Sequence, residues 1–385
     1  MIKMKIGILT QPLHSNYGGL LQCYALQKVL HRLGHDAWVI RRGFALYEKP
    51  NLWVKSIYYL KQCVGVLLGR KFHVLVNFQH MQYCGHKTQI FKDKYISPIS
   101  ELITNSRQLS KFHKSTKIDA YVVGSDQVWR PGYSPCITNY YLDFLGASEN
   151  VKRIAYAASF GVDNWEYNTI QTKKCTKLIG LFDAVSVREK SGLNLLRDFL
   201  NYNAGVQVLD PTMLLEKADY EAIAIAELEP KSSGNLFYYI LDKSPAKQQI
   251  ISTVSLQTGL IPFTQMPKCG GSRKNLTERI DDCVFPTVSA WLRAFMDAEM
   301  IITDSFHGCV FSIIFNKPFW VVGNPSRGMA RFHSLLEMFG LEDRLITSGN
   351  LPTDFFAPIC WLDVNQKRYE LQKYSLDFLM NALKQ

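Results

Sequence analysis

None of the nine cysteines, at positions 23, 63, 84, 136, 175, 269, 283, 309 and 360, stands in a C-x-x-C pair, so neither a zinc ligand set nor a disulfide framework is indicated. The thiols read as small core hydrophobes in a reducing compartment. No uninterrupted apolar run reaches the roughly 18 residues of a membrane-spanning helix. The opening MIKMKIGILT turns strand-like and runs to Pro12 without the apolar stretch of a secretion signal, so a cytoplasmic location is expected. With 47% hydrophobic and 20% charged residues the chain is neither generally disordered nor fibrous. Its 385 residues exceed what one core of about 250–300 residues holds, which predicts two domains.

Acidic residues are scarce in one stretch. Residues 41–115 hold 13 Lys/Arg against only Glu48, Asp93 and Glu101, within a chain of 44 basic and 33 acidic residues. Such a patch attracts anions: nucleic acid, anionic headgroups or a phosphorylated substrate. No nucleic-acid-binding motif accompanies it, so no nucleic-acid partner is expected. Inside it, Ser56 to Gly69 is apolar and flanked by Lys55, Arg70 and Lys71. A core-packed helix with a solvated basic rim is the preferred reading, and peripheral docking on an anionic membrane at the inner face is the other.

Apolar runs and helical patterns alternate. Lys5–Thr10 reads as a buried strand, a helix follows over about 18–33, and Ala37–Ile40 reads as the next strand, the βαβ opening of a doubly wound sheet. The alternation resumes at 118–124, 153–159 and 184–188. Residues 216–234 read as a linker with a short helix. A second series then begins: strand 236–241, helix 246–258, helix 288–298, strand 300–303, a helix from about His307, and strand 318–323. The expected fold is α/β: two Rossmann-like domains facing across a cleft, GT-B-like. The divisions are 1–212 with the basic insertion 41–115, then 213–350, then a helical tail 351–385 packing back on the first domain.

Ligands of open α/β sheets bind beyond the strands' carboxyl ends. There Thr303-Asp304-Ser305-Phe306-His307-Gly308 delivers a carboxylate, a hydroxyl and an imidazole to a helix start whose amides face an anion. Arg188 ends another strand, placed either to grip a phosphate or carboxylate with two parallel hydrogen bonds or to pair with Glu189 or an aspartate. Gly124-Ser125-Asp126-Gln127-Val128-Trp129 offers groups suited to sugar hydroxyls and ring faces, or an N-cap and a core indole. Asn16-Tyr17-Gly18-Gly19 with Gln22 lets a ligand approach the backbone but is not G-x-G-x-x-G. Lys268–Lys274 reads as a solvated turn, since no helix start is evident after it.

The ordered set N-Y-G-G-x-x-Q, G-S-D-Q-V-W, Y-A-A-S-F-G, S-V-R-E-K-S-G, V-L-D-P-T and T-D-S-F-H-G, followed by N-K-P-F and Arg327/Arg331, resembles the polysaccharide pyruvyl transferase family over about residues 5–345. The resemblance implies a GT-B-like enzyme of bacterial-type surface polysaccharide biosynthesis. It would use phosphoenolpyruvate to form a pyruvate ketal on two hydroxyls of a sugar or lipid-linked oligosaccharide. It implies a donor site in the C-terminal half, with His307 catalytic and Arg188, Phe306, Ser305, Gly308, Lys317 and Arg331 at the donor. Asp126 would assist the acceptor hydroxyl, with Asn16, Gly18, Gly19, Gln22, Ser125, Gln127 and Trp129 around the acceptor. Ser305 stands where members of the family commonly have arginine, and Lys317, Arg327, Arg331 or Arg273 would replace that cation. No cofactor or metal is expected. The alternatives are a GT-B glycosyltransferase using a sugar nucleotide and a non-catalytic glycan- or anion-binding relative.

Overall fold

The computed structural model describes residues 2–44, 56–57, 59–61, 63–64, 78–323, 328–347 and 351–384. Within them the chain forms two sheets. The first contains β1 (Lys5–Leu9), β2 (Asp36–Val39), β3 (Ala120–Val123), β4 (Lys152–Ala158), β5 (Ala184–Val187) and β6 (Val206–Gln207), in the order β2-β1-β3-β4-β5-β6. The second contains β7 (Leu236–Tyr239), β8 (Pro262–Phe263), β9 (Met300–Thr303), β10 (Phe319–Val322) and β11 (Leu345–Ile346), in the order β11-β10-β9-β7-β8. All pairings between these strands are parallel. The GT-B-like α/β class expected from sequence is the one observed. Helices cover both faces of a parallel sheet, so its strands are apolar throughout: every residue of β3, β9 and β10 is buried.

Strand order fixes where a ligand can enter. β1 lies between β2 and β3, and β7 lies between β8 and β9, so in each sheet the chain turns opposite ways at that strand and a crevice opens beyond its carboxyl end. In the second sheet Asp304 ties the crevice walls together. Its Oδ1 accepts from the Leu241 amide at 2.7 Å and its Oδ2 from the Asp242 amide at 3.2 Å and Lys247 Nζ at 2.5 Å.

The lobes share a core across the start of the first helix, Tyr17–Arg32. Asn16 caps this helix by accepting the Gly19 amide at 3.2 Å. Tyr17 reaches into the second lobe, where its ring stacks on Trp291 at 5.6 Å and its hydroxyl lies 3.0 Å from the carbonyls of Gln265 and Pro286. The last helix, Trp361–Lys384, runs back to the first lobe. There Ser375 Oγ accepts the Leu209 amide at 3.0 Å and Arg368 donates to the Leu215 carbonyl at 2.7 Å.

Two details differ from the sequence reading. A short helix, Arg273–Glu278, does follow the glycine loop, with Ser272 as its N-cap. In the basic insertion, Ile57, Leu60 and Val64 are 49%, 70% and 52% exposed, so the core-packed reading does not hold for them. Lys55, Arg70, Lys71 and Arg327 lie outside the described residues. No helix among the described residues is long and apolar enough to cross a membrane.

Gly124 ends β3 at φ 130°, with its α-hydrogen facing the Tyr156 carbonyl. A methyl group built there falls onto that oxygen, in a backbone region closed to L-residues. Gly124→Ala is therefore expected to lower the unfolding free energy by about 3 kcal/mol in denaturant titrations. An unchanged midpoint would contradict the described β3–β4 packing.

Candidate active site

The two crevices meet around one guanidinium. Arg188 leaves the end of β5 fully buried, with Nη1 2.9 Å from Asp210 Oδ2, Nη2 3.2 Å from Asp126 Oδ1 and Nε 3.8 Å from Glu189 Oε2. The Phe306 ring covers its face at 4.1 Å. Each carboxylate is held separately. Asp126 follows β3 in the left-handed region at φ 67°. Asp210 receives the Thr212 amide and hydroxyl on Oδ1 at 3.0 and 2.7 Å and the Ser125 hydroxyl on Oδ2 at 3.1 Å. Glu189 Oε1 accepts from Ser159 Oγ at 2.8 Å and the Phe160 amide at 3.0 Å.

His307 comes from the other lobe. Its Nε2 lies 3.7 Å from Asp210 Oδ2, an ion-pair spacing, and this buried nitrogen has no hydrogen-bond partner among the described residues. The ring abuts Gly18 so closely that a Cβ at that position would fall inside it. Ser305 caps the Phe306–Ile314 helix by accepting the Gly308 amide. The Phe306 and His307 amides, in the first turn, have no intrahelical carbonyl to bond.

Charge balance follows from the geometry. Burial alone would raise the Asp126 carboxyl, but Arg188, then His307 and Arg331, bring it below its ordinary value. Burial opposes Asp210 in the same way, and His307 with Arg188 outweighs it, holding this carboxyl far below the usual range. Arg331, also buried, is pushed down to about 10 by desolvation and by Arg188, and stays cationic at neutral pH. His14, after β1, has its imidazole lowered chiefly by desolvation; Asp126 opposes that shift and Lys92 reinforces it.

The structure brings Asp126, Arg188, Ser125, Phe306, His307, Arg331 and Gly18 together. Several expected site residues have other work. Arg188 has its charge matched by three carboxylates and no exposed face, so it orients them and does not grip a donor directly. Lys317 donates to the Met296 and Ala298 carbonyls at 2.9 and 2.7 Å, because the carboxyl end of the Val288–Asp297 helix supplies acceptors there. Trp129 is a core indole stacked on Tyr141 at 5.2 Å, with Nε1 donating to the Tyr140 carbonyl. Gln22 bonds Thr10, the Gly19 carbonyl and the Ser125 amide. Gln127 Oε1 accepts from Arg130. Asn16 and Ser305 serve as helix caps, accepting the Gly19 and Gly308 amides respectively. Sequence reasoning missed Asp210 as a site residue, although V-L-D-P-T carried it, and missed His14 altogether.

Among the described residues no group of three or more His, Cys, Asp or Glu is placed to hold a metal ion. Two α/β lobes thus bring an aspartate and an imidazole to within 3.7 Å where they meet. The match of a polysaccharide pyruvyl transferase family model to residues 16–326 makes the chain a member of that family of transferases. No curated protein matches it in sequence. Solved structures similar to it include a UDP-GlcNAc 2-epimerase from Methanocaldococcus jannaschii (11% identity, 97% of this chain and 93% of that one, TM-score 0.49). Others are a UDP-GlcNAc 2-epimerase from Neisseria meningitidis (10%, 98% and 100%, 0.48) and a glycosyltransferase from Rickettsia africae (11%, 99% and 94%, 0.46).

Removing Arg188 strands three buried carboxylates. Arg188→Met should cost about 3–5 kcal/mol in unfolding free energy. The pH dependence has a defined sign: Asp126 and Asp210 have folded pKa values below the unfolded value of about 3.9. Their ionisation therefore contributes full stability above that pH, and the contribution is lost as pH falls below it. Asp210→Asn should be less stable at pH 7 and show a shallower further decline below about pH 4. An acid limb superimposable on wild type would contradict the assigned ion pairs.

Proposed function

We propose that the protein transfers pyruvate from phosphoenolpyruvate onto two hydroxyls of a sugar in a surface polysaccharide precursor, forming a ketal and releasing inorganic phosphate. The observation that carries this reading is the buried, unbonded Nε2 of His307 beside Asp210 at the meeting of the two crevices. A buried polar atom without a partner in the free protein is one that a substrate can satisfy.

The chemistry needs a proton on the donor's methylene carbon, attack of one hydroxyl on the central carbon, departure of phosphate, and attack of the second hydroxyl. One hydroxyl proton balances the new methyl group and the other leaves with phosphate. His307 is the acid–base group of this scheme, with the Asp210 carboxylate 3.7 Å from its Nε2. The helix-start amides of Phe306 and His307, with Arg331, favour the donor's phosphate and carboxylate. The acceptor approaches from the first lobe, where Asp126, kept ionised by Arg188, accepts a hydrogen bond from the attacking hydroxyl. Gly18 leaves the space His307 occupies.

Incubation of the purified protein with phosphoenolpyruvate and candidate glycans should yield the pyruvate ketal adduct by mass spectrometry, with phosphate released in step. His307→Ala should reduce that rate about 10²–10⁴-fold, and Gly18→Ala should reduce it by displacing the imidazole. A His307→Ala protein transferring pyruvate at the wild-type rate would falsify the assignment. Stabilisation by a sugar nucleotide with none by phosphoenolpyruvate would point to glycosyl transfer instead.

A further inference from the structure

Three of the nine thiols meet where the basic insertion touches the second lobe. Cys84 ends the helix Phe78–Cys84, while Cys269 and Cys283 stand early and late in the chain between β8 and the Val288–Asp297 helix. With Leu276 they make a small cluster of their own. Cys84 and Cys283 are 7% and 3% exposed, and Cys269, half-buried, packs on its edge beside Ile280. Cys23, Cys175 and Cys309 differ, being sealed in the main cores.

Backbone contacts set the register of the cluster. The Cys269 amide donates to the Asp282 carbonyl at 2.9 Å, and Cys283 Sγ lies 3.6 Å from the Gly270 carbonyl, so each cysteine stands beside the other's segment. The Phe285 amide donates to the Cys84 carbonyl at 2.9 Å and the Tyr83 hydroxyl to Asp281 Oδ1 at 2.6 Å, which brings the insertion against the same turn. In the parallel β1–β2 pair an identical bond, from the Asp36 amide to the Met4 carbonyl, sets Asp36 beside Lys5. Strands joined this way lie about 4.7–4.9 Å apart, within the roughly 4.4–6.8 Å that a disulfide spans between Cα atoms.

We propose that Cys269 and Cys283 form a reversible thiol–disulfide site, reached from solvent through Cys269 by a small soluble disulfide such as glutathione disulfide. The Cys269 thiolate attacks one sulfur of the oxidant and releases one glutathione, and Cys283 then displaces the second. Two protein thiols thereby lose two electrons, and the oxidant leaves as two glutathiones carrying the two protons. Burial, and then the neighbouring Cys269, raise the Cys283 thiol, which leaves the first attack to Cys269. Around Cys269, Asp282 gathers Arg279 Nη2 at 2.7 Å and Lys268 Nζ at 3.8 Å, cations that favour the approach of an anionic oxidant.

The site has a physical path to the imidazole. Gln265 and Pro286, on the two stems of the same loop, both offer carbonyls to the Tyr17 hydroxyl, and Gly18, the next residue, abuts His307. A bond between Cys269 and Cys283 closes the loop above those stems and holds both acceptors in register with Tyr17.

The test equilibrates the full chain with glutathione disulfide, blocks remaining thiols by alkylation, and maps unreduced peptides by mass spectrometry. A peptide pair joined through Cys269 and Cys283 should appear and be released by dithiothreitol, and the oxidised protein should unfold a few degrees higher than the reduced one. Cys269→Ser and Cys283→Ala should each lose both the linked pair and the shift, whereas Cys84→Ala should keep them. Glutathione left on Cys269 with Cys283 still alkylated, or Cys283 joined to Cys84, overturns the site. A Cys269–Cys283 link without a rise in the midpoint overturns its hold on the Tyr17 stems.

Discussion

The site depends on a guanidinium that cannot be hydrated. Arg188 is sealed beneath Phe306 and answered by Asp126, Asp210 and Glu189. Burying a charge is tolerable only when the geometry of its partners is good and their remaining lone pairs are satisfied. Asp126, Asp210 and Glu189, from the loops after β3, β6 and β5, supply that geometry, and only Arg188 Nε and Glu189 Oε2, 3.8 Å apart, lack a hydrogen-bond partner among the described residues, so one side chain joins three loops that the sheet alone would leave independent. The cover comes from the second lobe, which makes the network part of the interface as well as of the first domain.

That interface is where local rules give way to fit. The first helix opens with a tyrosine that enters the other lobe and a glycine that leaves room for an imidazole. Ser334, in the Ala330–Phe339 helix, accepts from the Lys190 amide at 3.0 Å and from Gln207 Nε2 at 2.7 Å, pinning the lobes on a second side. His307 is thereby held between a glycine of one sheet's crevice and an aspartate that ends the same sheet's last strand. An imidazole placed this way has walls from both lobes, so the interface and the geometry of the cluster are one condition.

Much of the fold was legible because parallel strands covered on both faces must be apolar throughout, as in Ile301-Ile302 and Val122-Val123. His307 stood out because a strand end followed by a helix start is a distinctive sequence pattern. What stayed hidden was pairing at a distance. Arg188 read equally well as an anion clamp or as an ion pair, and only the folded chain brings Asp126 and Asp210 to it from 62 and 22 residues away. Gly18 looked like room for a ligand, and the occupant is His307. Lys317 looked like a donor cation because the sequence does not show that a helix ends beside it.

The cations of the two crevices therefore divide by what answers them. Arg188 is neutralised inside the protein and can only organise carboxylates, while Lys317 is spent on the Met296 and Ala298 carbonyls at a helix end. Stable folds rarely bury a positive charge unanswered, because its desolvation is not recovered from water. On this division Arg188 fixes the geometry of its three carboxylates and is not itself free to bind an anion.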